Sequence, residues 1–177
     1  NGVVGVYPEG ARNWDLKSLP VIYATAKLVK NLKIPVVNTL MEGAGLTRPR
    51  WGRSSRTGII HLNYSILIAP EEIEKMSVDE IHKRITNGIN FNEYEWQEKN
   101  MIRFRGSNRA EYLDIFLVVC LRCKSLCSMY SKKNTFKCIK CGYAVDYDEY
   151  GYFTTDQEPF FSNPQSWSEW QNSYLFE

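Results

Sequence analysis

The first third of the chain alternates between short apolar runs and a stretch of helical periodicity. Residues 3–6 form a β-branched run interrupted by Gly5, which predicts a buried strand. A helix follows it, and residues 34–37 predict a second buried strand. The apolar face of the helix recurs every three or four residues, at Leu19, Ile22, Tyr23, Ala26, Val29 and Leu32.

Two more elements are predicted before the middle of the chain. Residues 57–68 alternate between apolar and polar side chains, which predicts a strand with one buried face. Ser77 and Glu80 form a capping box that starts a helix ending at about Asn87. The apolar face of the strand consists of Ile60, Leu62, Tyr64, Ile66 and Ile68.

The order strand, helix, strand, strand favours an α/β sandwich. In such folds ligands bind outside the carboxyl ends of parallel strands, so the turn after residues 3–6 is a candidate binding site. This turn contains Pro8, which stiffens it, and Gly10, which lets a ligand approach the backbone. Glu9 can accept hydrogen bonds from a hydroxyl, and Arg12 can bind a phosphate with its planar guanidinium.

Charge is distributed unevenly along the chain. Residues 1–141 contain all 22 basic residues and 13 acidic ones, a net charge of +9, whereas residues 142–177 carry −7. This acidic segment also contains 11 of the 24 aromatic residues, so it is too aromatic for a disordered tail. Trp167, Trp170 and Tyr174 have helical spacing, and we expect residues 155–177 to pack back on the basic portion.

Several classes of protein are excluded by composition. The longest apolar run, Ile115–Leu121, has seven residues, whereas a membrane-spanning helix needs about 20. The first residues show neither the basic region nor the cleavage site of a signal peptide. Because the chain starts without Met and inside a predicted strand, we expect the natural protein to begin further upstream.

Five cysteines lie between residues 120 and 141. Four of them form two Cys-x2-Cys pairs separated by fourteen residues, and Gly142 follows the second pair. Two such pairs give a tetrahedral four-thiolate site, which is typical of structural zinc. Two disulfides are the alternative, but the odd cysteine count and the missing export signal argue against them. The predicted ligands are Cys120, Cys123, Cys138 and Cys141, and Cys127 is interpreted as a spare thiol.

A closed four-sulfur site has no open position for catalysis, so its predicted role is to hold a small zinc ribbon. Residues 136–138 and 143–147 have the composition of its strands. The ribbon is basic, with Arg122, Lys124, Lys132, Lys133, Lys137 and Lys140. Nucleic-acid binding would require such charges interleaved with stacking aromatics, and without them we favour a solvated scaffold.

The Pro-Glu-Gly turn and two segments after it resemble the motifs of a known enzyme family. Val6-Tyr7-Pro8-Glu9-Gly10-Ala11-Arg12 resembles the phenylalanine-proline-glutamate-glycine-threonine-arginine block of the glycerolipid acyltransferases, the 1-acyl-sn-glycerol-3-phosphate acyltransferase family. Residues 34–37 and 58–68 look like the blocks that follow it in that family, so the resemblance covers roughly residues 1–90. Tyr7, Ala11 and Asn13 depart from the usual Phe, Thr and Ser, and Ala11 lacks a hydroxyl that could cap the turn.

The resemblance implies transfer of an acyl group from acyl-CoA or acyl carrier protein to lysophosphatidic acid. By position in the motif, Glu9 would hold the glycerol part of the acceptor, Arg12 its phosphate, and Gly10 would give access to the backbone. It also implies a cytoplasmic protein, peripheral on the inner face of a bacterial cell membrane. Nucleic acid is not an expected partner.

The catalytic pair of that family is a His followed five positions later by an Asp. Neither histidine of this sequence has such an Asp: the residue five positions after His61 is Ile66, and the residue five positions after His82 is Asn87. We therefore expect the pair to lie upstream and this chain alone to be inactive, with no catalytic residue of its own. The predicted organisation is the C-terminal part of an acyltransferase domain at 1–110, a zinc ribbon at 111–154 and the aromatic acidic tail at 155–177.

Two alternatives stay open. The chain could instead be a non-catalytic zinc-ribbon module that binds nucleic acid or protein, or an acyltransferase with a different acceptor such as glycerol 3-phosphate. Residues 48–56, with four arginines and Trp51, could engage an anionic lipid, the phosphates of a donor or an acidic carrier protein. The same segment could equally be a solvated loop, although exposing a Trp is unfavourable.

Overall fold

The computed structural model describes residues 2–176, which form a mixed α/β structure with two small antiparallel sheets. The helices are α1 (Ala24–Leu32), α2 (Ala44–Thr47), α3 (Pro70–Lys75), α4 (Val78–Ile89), α5 (Glu93–Asn100) and α6 (Pro164–Phe176), with a 3-10 turn at Leu113–Ile115. The strands are β1 (Val36–Glu42), β2 (His61–Ile68), β3 (Met129–Lys132), β4 (Thr135–Cys138), β5 (Ala144–Tyr147) and β6 (Phe153–Thr154). The predicted α/β class is confirmed.

The chain divides into two compact units, which interleave along the sequence. The first unit comprises residues 2–13, 17–42 and 61–92 and contains the β1–β2 sheet with α1, α3 and α4. The second comprises residues 14–16, 43–60 and 93–176 and contains the sheet β3-β4-β5-β6 with α2, α5 and α6.

Helix α4 begins where the sequence predicts it. Ser77 accepts a hydrogen bond from the Glu80 amide at 3.2 Å, and the Glu80 carboxylate accepts one from the Ser77 amide at 2.7 Å. These reciprocal bonds satisfy backbone donors that the first helical turn would otherwise leave unpaired, and they also lower the pKa of Glu80. The capping-box prediction is therefore confirmed.

The core of the first unit lies where α1, α3 and α4 meet the end of β2. Its buried residues are Val21, Ala26, Ile68, Ile73, Ile81 and Ile85. Strand β2 pairs antiparallel with β1, and of the apolar face predicted for it only Ile68 is fully buried. Ile60, Leu62, Tyr64 and Ile66 are exposed. The prediction of a buried face is wrong for most of β2 because, within residues 2–176, nothing of this unit covers that face.

Two predicted elements of the first unit also differ from the structure. Residues 3–6 form no strand and are exposed, because no described strand of this unit pairs with them. Both sheets are antiparallel, so the turn that follows residues 3–6 does not lie at the end of a parallel strand, and its ligand-binding role stays a prediction. Helix α1 begins at Ala24 rather than at Leu19, and the segment before it is held by bonds from the amides of Leu19 and Ile22 to Glu9 and Pro8.

The second unit has an aromatic core. Strands β3 to β6 pair in sequence order, and their buried face carries Phe136, Val145 and Tyr147. Trp167 of α6 is fully buried among the aromatic rings of the sheet and donates its indole N–H to the Val119 carbonyl at 3.0 Å. Helix formation across Trp167, Trp170 and Tyr174 is confirmed. Among residues 2–176, no helix combines the length and apolar character that crossing a bilayer requires.

Candidate metal centre

The four predicted ligand cysteines converge in the second unit. Their sulfur atoms all lie within 4.8 Å of one another. Cys120 Sγ is 3.6 Å from Cys141 Sγ, and Cys123 Sγ is 3.7 Å from Cys138 Sγ. Metal–sulfur bonds of about 2.3 Å in a regular tetrahedron place sulfurs about 3.8 Å apart, so the cluster has the size of a four-thiolate site. A disulfide would require about 2.05 Å. The cluster could therefore hold a metal ion.

The two Cys-x2-Cys turns have matching backbone hydrogen bonds. Cys120 Sγ accepts from the amides of Arg122 and Cys123, and Cys138 Sγ accepts from those of Lys140 and Cys141. In each turn the sulfur of the first cysteine thus accepts from the amides of the second and third residues that follow it in the chain. Such bonds stabilise a thiolate, because they place partial positive charge against it.

Each turn ends in a left-handed residue directly after its second cysteine. Lys124 has φ 59° and Gly142 has φ 74°. Glycine adopts this conformation without a steric cost, as predicted for the second turn, whereas Lys124 adopts it at some cost in the first. In the first turn the Lys124 amide donates to the Cys120 carbonyl. In the second turn the Gly142 amide donates to the Cys138 carbonyl. The chain thereby reverses twice around the sulfurs.

Neighbouring strands fix the position of each turn. Cys138 is the last residue of β4, and its amide bonds to the Tyr143 carbonyl just before β5. An isolated bridge between Val119 and Leu126 closes the base of the first turn. Both predicted ribbon strands, 136–138 and 143–147, are present as β4 and β5 within one residue at their ends. The sequence signal for this local structure was sufficient because all its parts are close in the chain.

The thiols differ in their electrostatic environment. Burial raises the pKa of Cys120 to about 12. Burial also opposes ionisation of Cys138, but hydrogen bonds from Ser128 and from the amides of Cys141 and Lys140 outweigh it and lower the pKa to about 5. Four thiolates this close repel one another, so only a bound cation stabilises all of them together. With four sulfur ligands the site has no open position and would serve structure rather than catalysis.

Ser128 is a neighbour of the site that the sequence did not single out. Its hydroxyl lies 3.4 Å from Cys138 Sγ, and the residue is buried. Buried serines seldom stand out in a sequence, and the only signal was its position ten residues before a ligand cysteine. Cys127 lies outside the cluster and its thiol is exposed, in agreement with its interpretation as a spare thiol.

The Pro-Glu-Gly turn lies in the first unit, away from any cysteine in the sequence. The Gly10 amide bonds to the Tyr7 carbonyl at 3.0 Å, which closes a turn with Pro8 at its second position. Pro8 accepts from the Ile22 amide at 2.8 Å, and Glu9 Oε2 accepts from the Leu19 amide at 2.6 Å. Glu9 therefore binds its own chain through one carboxylate oxygen, and Arg12 is exposed.

Gly10 has a structural reason for being glycine. Its φ of 69° lies in the left-handed region, and a Cβ would come within 2.5 Å of the Ile22 side chain. Residues of the chain itself thus occupy the space beside Gly10 on that side. Its predicted role in giving substrate access to the backbone, like those of Glu9 and Arg12 in binding the acceptor, stays a prediction.

Residues 48–56 are anchored by the buried side chains of Trp51 and Arg56, whereas Arg48, Arg50 and residues 53–55 are exposed. Trp51 is buried and stacks on Phe116 with ring centroids 5.4 Å apart. Arg56 is also buried; it donates to the carbonyls of Leu46 and Arg109 and lies over the Tyr147 ring. Arg50 and Arg53 likewise lie over aromatic rings, those of Trp14 and Tyr112. Most of the arginines in this segment therefore have structural contacts within the second unit.

Comparisons of the chain with protein-family models, with curated proteins and with solved structures found no match. The function must therefore be argued from the residues and their geometry.

Proposed function

We propose that this chain is part of a glycerolipid acyltransferase that transfers an acyl group from acyl-CoA or acyl carrier protein to 1-acyl-sn-glycerol 3-phosphate, giving phosphatidic acid. Arg12 binds the phosphate of the acceptor. The observation that supports this proposal is the fixed turn of Pro8, Glu9 and Gly10, which precedes an exposed arginine in the order of the acyltransferase motif.

A rigid backbone favours phosphate binding by an arginine, because only the side chain then loses conformational entropy on binding. The turn before Arg12 supplies this rigidity through two links to the segment that leads into α1. One link is the bond from the Ile22 amide to the Pro8 carbonyl, and the other joins the Leu19 amide to Glu9. In the proposed site Glu9 therefore shapes the turn, and Arg12 contacts the ligand.

The chemistry also requires a base. The acceptor hydroxyl must lose its proton as its oxygen bonds to the thioester carbonyl carbon, and the departing thiolate takes up a proton. In this structure His61 lies 3.8 Å from the Glu42 carboxylate, and His82 Nε2 bonds to the Val21 carbonyl. Neither has an Asp five residues later, so the proposal takes the His–Asp pair from outside these 177 residues.

We propose zinc as the ion of the four-cysteine site. Thiolates in tetrahedral geometry suit Zn²⁺, which prefers soft ligands and imposes no other geometry. Cys120, Cys123, Cys138 and Cys141 would hold it. When bound, the zinc would cross-link the two turns and take no part in catalysis. The second unit then carries a structural ribbon, and the proposal assigns the acyl-transfer chemistry to the first unit together with the His–Asp pair.

The phosphate assignment is tested with the complete gene product that contains this sequence. Arg12→Ala should lower kcat/KM for lysophosphatidic acid about ten- to a hundredfold, because it removes a charged hydrogen bond to the acceptor. The KM for the acyl donor should change little. Arg84→Ala is the matched control, since Arg84 is an exposed arginine of the same unit that lies 3.5 Å from Glu72. A fully active Arg12→Ala protein would defeat the assignment.

The competing interpretation is a zinc-ribbon module without catalytic activity. The two are separated by the upstream reading frame of the gene. A His-x4-Asp sequence followed by an arginine block supports the enzyme. Its absence from the complete reading frame would refute the acyltransferase proposal, whatever the ribbon binds.

A further inference from the structure

The outer face of the β3–β4 hairpin brings together residues that the sequence keeps apart. The strand register pairs Tyr130 with Lys137 and Lys132 with Thr135, and Lys133 lies in the turn between the strands. These five residues line a hollow of about 300 Å³. The opposite face of the same hairpin is buried and carries Phe136 and Cys138. One side therefore faces the metal site and core, and the other side is open.

The open side has a concentrated positive charge. Lys132, Lys133 and Lys137 are all exposed, and none forms an ion pair within residues 2–176. No carboxylate lines the hollow. Clusters of unpaired lysines raise the local potential and attract anions, and a concave surface adds to the effect. The hollow is thus suited to an anionic group.

The extent of the charged area disfavours a long polyanion such as a nucleic-acid strand. On the neighbouring strand β5, Asp146 lies directly opposite Thr135. Its carboxylate accepts a hydrogen bond from the Thr135 hydroxyl at 2.6 Å. This carboxylate ends the basic area on that side, so positive charge extends only across one hairpin. A nucleic-acid strand would need a longer track and more than the single stacking aromatic, Tyr130.

Exposed apolar side chains adjoin this basic hairpin in the chain. Tyr130 is 45% exposed, Ile139 two residues beyond Lys137 is 69% exposed, and Leu126 is 53% exposed. Lysines together with exposed aliphatic and aromatic side chains are the composition of surfaces that lie in the headgroup region of anionic bilayers.

We propose that the outer face of the β3–β4 hairpin binds the phosphate headgroups of an anionic lipid bilayer. The three lysines contact the phosphates, and Tyr130 lies at the level of the headgroups. This goes beyond acyl transfer, since it concerns a different unit and needs neither substrate nor catalysis. It would place a lipid-modifying enzyme on the surface that contains its substrate.

The size of the effect follows from the charge. Each lysine near an anionic bilayer strengthens binding about fivefold, so removing three should weaken it about a hundredfold. The experiment measures co-sedimentation of the full 177-residue chain with vesicles of phosphatidylcholine, with and without phosphatidylglycerol. We expect binding only to the anionic vesicles, and we expect it to weaken as salt concentration rises.

Matched variants test the assignment to this face. Changing Lys132, Lys133 and Lys137 to Gln should reduce binding about a hundredfold, whereas changing them to Arg should preserve it. The control replaces three exposed lysines outside the hairpin, Lys75, Lys83 and Lys99, with Gln, and it should bind within about twofold of the parent chain because these residues do not belong to the proposed face. Metal content and circular dichroism verify that each variant is folded.

Three outcomes would overturn the proposal. One is equal loss of binding in the hairpin and control variants, which would indicate a general charge effect. Another is salt-insensitive binding to neutral vesicles. The third is tighter binding of single-stranded DNA than of anionic vesicles at the same salt concentration. Because these assays use no acyl donor, their failure would leave the Arg12 test of acyl transfer unaffected.

Discussion

Trp167 offers the sharpest test of how the last helix stabilises the four-cysteine ribbon. Its side chain is fully buried, and its ring centroid lies 5.2 Å from that of Phe136 and 5.6 Å from that of Phe153. Its indole nitrogen donates to the carbonyl of Val119, the residue before Cys120 of the four-cysteine cluster. Removing it would leave a large cavity between α6 and the sheet.

The expected cost of Trp167→Ala is about 3–5 kcal/mol, the range for removing a buried aromatic side chain. Trp167→Phe retains most of the apolar volume but loses the hydrogen bond to Val119, so about 1 kcal/mol is expected beyond the loss of packing. Trp170→Ala is the control. Trp170 lies three residues further along α6, is half-buried and stacks on Tyr174 with Lys124 over its ring, and we expect a cost of about 1 kcal/mol.

Urea titration of the metal-loaded chain measures these differences. Metal release to a chromogenic chelator reports opening of the ribbon, and circular dichroism reports loss of helix and sheet. Tryptophan fluorescence is unsuitable because each variant removes one of the five tryptophans and so changes the signal itself. Equal effects of Trp167→Ala and Trp170→Ala, or a loss below about 1 kcal/mol for Trp167→Ala, would contradict the packing described for α6.

Three other predictions concern the first unit. Ile68→Ala should destabilise this unit by about 2–5 kcal/mol, because the side chain is buried. Ile66→Ala should cost less than about 0.5 kcal/mol, because that side chain is 73% exposed. Similar losses of stability for the two variants in urea titrations would refute the observed burial. Ser77→Ala should cost about 1 kcal/mol in the same titration through loss of the α4 cap, and no change would mean that the cap is dispensable. Gly10→Ala should cost about 1–2 kcal/mol because of its left-handed backbone, and a neutral result would show that this turn is not held as described.

Local signals in the sequence were reliable. The capping box of Ser77 and Glu80 predicts the start of α4, since both partners lie within one turn of helix. The spacing of the four cysteines predicts that their sulfurs lie close together, because each Cys-x2-Cys pair is held in one short turn. In both cases the interacting groups are near each other along the chain, so the residues themselves fix the geometry.

Long-range contacts were not predictable in the same way. The alternation of residues 57–68 identifies a strand, but only the tertiary packing decides that Ile68 is buried while Ile66 is exposed. The run at residues 3–6 has strand composition and no partner strand in its unit of the structure. The pairing of Tyr130 with Lys137 depends on the hairpin register, so a basic face with an aromatic residue was not visible in the sequence.

The arginine-rich segment shows a further limit of composition. Four arginines in nine residues suggest an anion site or a solvated loop. In the structure the segment is anchored by Trp51, and Arg56 uses its donors on backbone carbonyls. Because an arginine can serve structure as well as ligands, its charge alone does not determine its role.

The central claim is that Cys120, Cys123, Cys138 and Cys141 hold one structural zinc ion while Cys127 does not. The most direct measurement is the metal content of the purified chain and of its Cys127→Ser and Cys141→Ser variants, determined by elemental analysis of protein never exposed to chelator. We predict one zinc per chain in the parent and in Cys127→Ser, and loss of tightly bound zinc together with ribbon structure in Cys141→Ser. Substoichiometric zinc in the parent, or full zinc in Cys141→Ser, would contradict the account.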